Sequence, residues 1–172
     1  MKIMILGAGQ VGATLAASLA SEDNDITVVD TDGEALKDLS ERYDIATVCG
    51  QASHPNILAK AGARDADMLI AVTASDEVNM VACEIAHHLF GTPNRIARIR
   101  ATEYLAFPEL FGAENLAIDT LISPEQAVTD HISRLLNTPG ALQVLDFAGG
   151  RIRLTGVRAN ADGLLVGHQL TE

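Results

Sequence analysis

Short apolar runs alternate along the chain with segments whose apolar residues recur at helical spacing. The runs are almost unbroken, which is typical of parallel strands covered on both faces. They predict strands at residues 2–6, 26–29, 46–49, 68–72, 95–100 and 116–118. The intervening patterns predict helices at residues 13–19, 33–43, 55–61, 76–90 and 104–111. This alternation predicts an α/β fold with a Rossmann-like, doubly wound parallel sheet.

The pattern changes after the last of these strands. Ser-Pro-Glu-Gln at 123–126 is a capping-box signature with proline at the first helical position, and it predicts a helix that runs to Leu136. Two strand-like pieces, 142–147 and 151–157, follow on either side of a Gly-Gly pair. Asp-Gly at 162–163 predicts a further turn.

These patterns divide the chain into three parts. We expect a dinucleotide-binding domain at 1–120, a crossover helix at 121–140 and the start of a small C-terminal subdomain at 141–172. The last part lacks an obvious closing element, so it is either a subdomain that continues beyond this sequence or a natural short tail. We favour the first interpretation.

The most specific chemical signal lies between the first two predicted strands. The first strand breaks at once into a G-x-G-x-x-G motif, an apolar helical segment follows, and the second strand ends on an acid. Strand, glycine motif, helix, strand and an acid about 20 residues further on form the dinucleotide-binding fingerprint. The predicted contacts are Gly7, Ala8, Gly9, Gln10, Val11, Gly12 and Asp30.

Each part of this fingerprint has a physical role. Gly7 permits a tight turn, Gly9 lets the backbone approach a pyrophosphate, and Gly12 lets the helix pack closely on the strand. The free N–H groups of the helix start then face the anion. Asp30 would accept hydrogen bonds from the adenosine ribose, and it favours NAD over NADP because a carboxylate repels a 2′-phosphate. The alternative is that the glycines are turn residues only.

Other candidate contacts follow the third and fourth strands, where ligands lie in this topology. Small residues at 50–53 would let an adenine ring lie against the backbone, and Thr73 and Ala74 would offer a hydroxyl and amides to ribose or phosphate. Both segments also fit ordinary loops with a capping hydroxyl.

Arg98 and Arg100 lie two residues apart on the fifth predicted strand, so their side chains are expected to point the same way. Two guanidinium groups at a strand end suit phosphate oxygens. The alternative is an ion pair with one of the many acids of this chain.

Several other polar residues give weaker signals. Asp76 and Glu77 open the fourth predicted helix, where they favour the helix dipole or, alternatively, take part in a divalent-cation site. The adjacent His87 and His88 point about 100° apart, which favours helix-end packing over a shared metal. Cys49 and Cys83 lie in apolar segments and are expected to be buried free thiols.

Composition narrows the class of protein. The 172 residues are 48% hydrophobic and carry a formal net charge of −11, with a pI near 4.7. This acidity disfavours a nucleic-acid partner, which requires a basic face. Direct membrane insertion is not expected, since no apolar run reaches the roughly 18 residues of a membrane helix. We also expect no cleavable secretion signal, because Met1 leads straight into a core strand.

The glycine motif, the second strand ending on Asp30, and the segments 66–73, 76–80 and 95–100 together resemble the regulator-of-potassium-conductance (RCK, or KTN) domain family. The resemblance implies a cytoplasmic protein docked on a membrane potassium transporter, with a Rossmann domain that responds to NAD(H) and to ATP or ADP. It also implies homo-oligomers, dimers within a ring, formed partly through the helix at 123–136. Gln51 departs from the acidic residue usual in this family.

Two classes of function remain open at this point. A dinucleotide fold is compatible with the cofactor-binding half of an NAD-dependent dehydrogenase. Such an enzyme needs a substrate compartment and an acid or base near the nicotinamide, and the sequence offers no evident catalytic residue. We therefore favour a regulatory subunit that binds nucleotides and gates potassium flux, without enzyme activity and without a resident metal.

Overall fold

Buried apolar strands form a six-stranded sheet at the centre of the first of two compact units, Met1–Ser123. In this computed structural model, which describes residues 1–112 and 115–159, the strands are β1 (Lys2–Leu6), β2 (Asp25–Asp30), β3 (Ala46–Cys49), β4 (Met68–Ala71), β5 (Asn94–Arg98) and β6 (Thr120–Ile122). All neighbours are parallel, in the order β3-β2-β1-β4-β5-β6. The predicted doubly wound sheet is confirmed. Its winding reverses between β1 and β4, where such sheets bind ligands.

The helices connect the strands largely as predicted. They are α1 (Gln10–Ala20), α2 (Gly33–Arg42), α3 (Pro55–Lys60), α4 (Asp76–Ile85) and α5 (Thr102–Leu105). The predicted helix at 76–90 is α4 followed by a π-helical turn, Ala86–Phe90, which ends at Gly91 in the left-handed conformation. The predicted helix at 104–111 is replaced by α5 and a short 3₁₀ turn, Pro108–Leu110.

Side chains of the central strands alternate between two apolar clusters because successive residues of a strand point to opposite faces. Met4 and Leu6 of β1 belong to one cluster, with helices α3 and α4. Ile3 and Ile5 belong to the other, with α1 and α2. Burial on both faces explains why these strands read as unbroken apolar runs.

The prediction of the sixth strand at 116–118 is wrong, since β6 is Thr120–Ile122. Residues 117 and 118 are buried in a loop outside the sheet, and an arginine side chain bonds to the Ala117 backbone there. Arg95 is only 4% exposed and donates from Nε to the Ala117 carbonyl at 2.5 Å. Its Nη2 lies 2.8 Å from Asp119 Oδ1. Ala117 has a φ of 46°, which no strand residue adopts.

The two cysteines differ in exposure. Cys83 is fully buried, and burial raises the pKa of its thiol to about 12. Cys49 is exposed at the end of β3, so the prediction that both thiols are buried is wrong for Cys49. Both are free thiols.

The second unit begins at Pro124 and contains α6 (Pro124–Leu136) and an antiparallel hairpin of β7 (Ala141–Phe147) and β8 (Ile152–Val157). The predicted helix and both predicted strands are therefore present. The predicted turn at 162–163 lies outside the described residues. Among the described residues, none of the helices combines the length and the apolar character required to cross a bilayer.

Candidate nucleotide-binding cleft

A cleft of about 400 Å³ opens at the carboxyl ends of the central strands. Its walls come from the loops that follow β1, β2, β3 and β4, and from the end of β5. Of the predicted contact residues, Gly7, Gly9, Gln10, Val11, Asp30, Thr73, Ala74 and Arg98 line it. Ala8, Gly12 and Arg100 are not among the lining residues. The structure thus brings most of the predicted site together around one space.

The three glycines of the motif differ in why they lack a side chain. Gly7 has a φ of 108°, which side chains rarely tolerate. A Cβ on Gly12 would lie 1.8 Å from the Gly7 carbonyl oxygen, so this glycine allows α1 to pack against the loop. A Cβ on Gly9 would have no described atom within 4 Å. Packing within the described residues therefore does not require glycine at position 9, which faces the cleft.

The first turn of α1 is open toward this space. Gly9 occupies the position before the helix, and within the described part of the chain no side chain caps α1 and its first turn carries no acid. The N–H groups of a helix start lack intrahelical acceptors, and the helix dipole adds positive potential there. This end of α1 has the chemistry of an anion site.

Asp30, half-buried at the end of β2, holds the glycine loop in place. Its Oδ2 accepts a hydrogen bond from the Ala8 N–H at 2.5 Å, and its Oδ1 accepts one from the Asp32 N–H at 2.9 Å. A carboxylate offers about four acceptor positions, so capacity remains for hydroxyl donors in the cleft. Ala8 takes part in the site through this backbone bond, although it does not line the cleft.

The loop after β3 forms the wall beyond Asp30. Gly50, Gln51 and Ala52 line the cleft, in the loop where the sequence analysis expects an adenine ring. The Gly50 N–H donates to the Asp30 carbonyl at 2.8 Å, which ties this loop to β2.

The opposite wall is built around Asn79 of α4, a residue that the sequence analysis missed. Asn79 is fully buried, and its Oδ1 accepts hydrogen bonds from Thr73 N and Thr73 Oγ1 at 3.0 and 2.7 Å. Its Nδ2 donates to the Arg98 carbonyl at 2.8 Å. The sequence feature that could have indicated its role is a single amide residue among apolar residues in the first turns of α4.

Arg98 and Arg100 both donate to the loop after β4, but of the two only Arg98 lines the cleft, and β5 ends at Arg98. Arg98 lines the cleft and donates from Nη2 to the Thr73 carbonyl at 2.9 Å. Its buried Nε has no hydrogen-bond partner in the described ranges.

Arg100 contacts both the loop and the helix that follow β4. Its Nε lies 3.7 Å from Asp76 Oδ1, and its Nη2 donates to the Ala74 carbonyl. The alternative of an ion pair with an acid therefore describes Arg100.

The acids at the start of α4 are engaged within the protein. Asp76 is buried, and its Oδ2 accepts the N–H groups of Arg100 and Ala101, each at 2.8 Å. Hydrogen bonds from the Ser75 hydroxyl, from its own backbone N–H and from the Tyr104 hydroxyl lower the pKa of Glu77. No group of three or more His, Cys, Asp or Glu residues suited to a metal occurs in residues 1–112 and 115–159.

The comparisons with known proteins agree with this geometry. The model of the TrkA-N domain matches residues 3–124, most of the chain. The chain belongs to the TrkA-N domain family. A relative from Halomonas elongata, the Trk system potassium uptake protein TrkA, is 62% identical over 170 residues. That alignment covers 99% of this chain and 37% of the relative, so this TrkA-N chain spans little more than a third of the relative's length.

Solved structures show the same fold at lower identity. The TrkA-N domain of the inner membrane protein YbaL from Escherichia coli superposes with a TM-score of 0.68 at 21% identity, over 78% of this chain and 96% of that one. The GsuK channel bound to NAD gives a TM-score of 0.60 at 21% identity, over 74% and 22% of the two chains. The same channel bound to ADP gives 0.58 at 21% identity, over 71% and 31%.

Proposed function

We propose that this TrkA-N chain is the nucleotide-binding part of a regulatory subunit of a potassium uptake system. Its cleft binds NAD(H) and, in competition, ATP or ADP. The observation that carries this proposal is the convergence of the uncapped start of α1, the Asp30 carboxylate and the Arg98 guanidinium on one space of about 400 Å³.

These groups match the parts of an adenine dinucleotide. The pyrophosphate lies against the amino end of α1, where the absence of a Cβ on Gly9 leaves room for it. The ribose hydroxyls donate to Asp30, and the adenine lies against the loop of Gly50 and Ala52. Arg98 faces the second half of the ligand, where its guanidinium group is placed to donate to a phosphate oxygen.

The cofactor is NAD(H) rather than its 2′-phosphorylated form. Asp30 places a carboxylate at the ribose position, and the next two residues, Thr31 and Asp32, bring no positive charge. A 2′-phosphate there would be repelled, since no arginine follows Asp30 to neutralise it. The GsuK channel, a distant structural neighbour, has been solved with NAD and with ADP, which supports an adenine nucleotide as the ligand class.

The partner is a membrane potassium transporter, on whose cytoplasmic face the subunit docks as an oligomer. The name of the Halomonas relative supports the transport system. The helix α6 supports the oligomer, because Val128, Ile132 and Leu136 recur at helical spacing and are each more than half exposed. Nucleotides change ion flux through a difference in their affinity for two assembly states.

Calorimetric titration of the purified chain with NAD, NADH, ATP and ADP tests this function, with the molecular mass measured with and without each ligand. We expect binding of all four and no cofactor oxidation across candidate substrates. Turnover would favour the dehydrogenase alternative, and the absence of heat or thermal shift with every ligand would refute the proposal.

Arginine variants in the same titrations test whether the guanidinium groups contribute to nucleotide binding. Arg98→Gln should weaken nucleotide binding about tenfold, and the double variant Arg98→Gln/Arg100→Gln should abolish any difference between ATP and NADH. The matched control is Arg42→Gln, which removes an exposed arginine from the last turn of α2. Unchanged discrimination in the double variant would contradict the assigned role.

A further inference from the structure

Asn79 lies beside the cleft but is not among the residues that line it. Its side chain has no solvent exposure, so it has no surface to offer a ligand. A buried amide is stable in this position only when its donors and acceptor are all used. In Asn79 they are, and every partner belongs to the wall of the cleft.

The bonds of Asn79 join the ends of two adjacent strands. Oδ1 accepts from the Thr73 N–H and hydroxyl at 3.0 and 2.7 Å. Nδ2 donates to the Arg98 carbonyl at 2.8 Å and to the Thr73 carbonyl at 3.4 Å. Only an amide of this length supplies both the acceptor and the donors.

The sheet itself does not supply this link. The paired register between β4 and β5 ends at Ala71 and Ala97, one step before the cleft. Beyond that pair, side chains join the two segments: Asn79 and the bond from Arg98 Nη2 to the Thr73 carbonyl at 2.9 Å lie at the cleft, and the contacts of Asp76 and Arg100 follow further along.

We propose that Asn79 is a positioning residue for the phosphate side of the nucleotide site. Its amide fixes Thr73 and Arg98 relative to each other, so that the loop after β4 and the guanidinium meet the phosphates together. The inference rests on the proposed function, since it assigns a role within that site. It predicts that the loss of Asn79 impairs ligands with phosphates and spares the adenosine moiety, which binds on the Asp30 side.

A matched control lies at the other end of the same two strands. Asn94 begins β5, and its Nδ2 donates to the Asp67 carbonyl just before β4 at 3.1 Å, far from the cleft. Asn79→Ala and Asn94→Ala thus each remove one amide link between β4 and β5. They differ in which end of the sheet they loosen.

The experiment compares NAD, ADP and adenosine on the purified chain and the two variants, with thermal melts to establish folding. Asn79→Ala should bind NAD and ADP about tenfold more weakly and adenosine within about twofold of the unaltered chain. Asn94→Ala should bind all three as the unaltered chain does. An equal loss for adenosine and NAD, the result of a general structural defect, would overturn the inference.

Asn79→Asp provides a second test that does not leave a cavity. The new carboxylate keeps the acceptor toward Thr73, but its second oxygen faces the Arg98 carbonyl, which raises its pKa. Protonation restores the missing donor, so the NAD affinity lost at about pH 8 should return toward about pH 5.5. The NAD diphosphate does not titrate in this range, and the unaltered chain should change little. A deficit that does not recover with protonation would count against the inference.

The failures of the two ideas are distinguishable. If the unaltered chain binds no nucleotide, the proposed function falls, and the role of Asn79 falls with it. If the unaltered chain binds NAD and folded Asn79→Ala binds it equally well, the inference alone is overturned.

Discussion

The helices α1 and α4 begin at the same edge of the sheet, after the adjacent strands β1 and β4, yet their first turns have opposite chemistry. Gly9 precedes α1 and offers no capping side chain, and among the described residues the first turn of α1 carries no acid. The start of α4 is capped by the Ser75 hydroxyl, which accepts from the Val78 N–H at 3.3 Å, and two acids follow. Position in the fold therefore does not decide where an anion binds.

This difference between the two first turns suggests which helix start is available to bind a ligand and which one shapes the cleft. At α1 the positive end of the helix dipole remains available to a ligand. At α4 the same potential is already satisfied by Asp76 and Glu77. The preceding loops are also held differently: the Ala8 N–H by Asp30 from the next strand, and the Thr73 N–H by Asn79 from α4 itself. In the proposed site, α1 and Asp30 form the recognition side of the cleft, and on the other side Asn79 sets the positions of Thr73 and Arg98.

The largest expected effect concerns the packing of α1. Gly12→Ala would place a methyl group 1.8 Å from the Gly7 carbonyl oxygen, so either the helix or the loop must move. We expect the free energy of unfolding to fall by about 3 kcal/mol, measured by urea denaturation. The control is Gly33→Ala at the start of α2, where the nearest atom to a new Cβ is Cys49 Sγ at 4.0 Å. Equal urea midpoints for the two variants would contradict the assigned packing role.

The second largest effect is expected from Asp30→Ala, which removes the proposed acceptor for the ribose hydroxyls. Asp30→Ala removes both a charge-assisted hydrogen bond to the ribose and the acceptor of the Ala8 N–H. We expect NAD and ATP to bind about 10- to 100-fold more weakly in calorimetric titrations. Asp32→Ala is the control, because Asp32 caps α2 through the Glu34 and Ala35 N–H groups.

That control separates the two neighbouring carboxylates. Asp32→Ala should destabilise the chain by about 1 kcal/mol and leave nucleotide affinity nearly unchanged. Similar affinity losses in both variants would show that the acidic pair acts through local structure, and would argue against direct contact by Asp30.

Gly9→Ala adds the same methyl group as Gly12→Ala, but into open space. The unfolding free energy should change by less than about 1 kcal/mol, since no described atom lies within 4 Å of the new Cβ. NAD should bind about tenfold more weakly, because the methyl group occupies the path of the diphosphate. If NAD binds Gly9→Ala as well as it binds the unaltered chain, the diphosphate does not lie against α1.

Most of the sheet was predictable from the sequence, because the central strands are buried on both faces and therefore form apolar runs. The strand at Ala46–Cys49 was predicted to the residue. The sixth strand was not: β6 is an edge strand with exposed ends, while the apolar residues before it form a buried loop in which Arg95 bonds to the Ala117 carbonyl. Composition cannot distinguish a buried loop anchored by an arginine from a strand.

The site divides in the same way. The proposed recognition side follows from a motif with fixed spacing, which includes Gly9 and Asp30. The side that sets the shape depends on where β5 ends, which decides that Arg98 faces the cleft while Arg100 pairs with Asp76. Because Arg98 and Arg100 lie two residues apart, the sequence predicted the same role for both. Asn79 was missed because one amide in a helix carries no periodic signal.

The contrast between the two helix starts can be tested directly by giving α1 the charge of α4. Gln10→Glu places an acid in the first turn of α1, where it should raise the unfolding free energy by about 0.5 kcal/mol through the helix dipole. The same charge should weaken NAD and ATP binding severalfold by repelling the diphosphate, and less so at high salt. Gln51→Glu is the control, since it adds the same charge to the cleft wall from the loop after β3 rather than from α1. Tighter binding by Gln10→Glu would place the phosphates elsewhere.

The smallest effect tests whether the exposed acid of α4 is engaged within the protein. Glu77 accepts from the Tyr104 hydroxyl at 3.1 Å, and this bond, followed by the charge of Glu77, raises the pKa of Tyr104. Glu77→Gln should therefore lower the pKa of Tyr104 toward its ordinary value, seen as phenolate absorbance in an alkaline titration. Tyr104→Phe identifies the transition, because Tyr43 is the other tyrosine of the chain.

The lowered pKa of Glu77 fixes the sign of the companion measurement. A depressed carboxyl pKa means that the stabilisation is present above the unfolded-state pKa and is lost as the pH falls through the folded-state value. The contact is thus intact at neutral pH, and Glu77→Gln should leave nucleotide affinity within about twofold of the unaltered chain. A gain in affinity on removing this charge would mean that Glu77 faces the ligand, and the start of α4 would then belong to the recognition side.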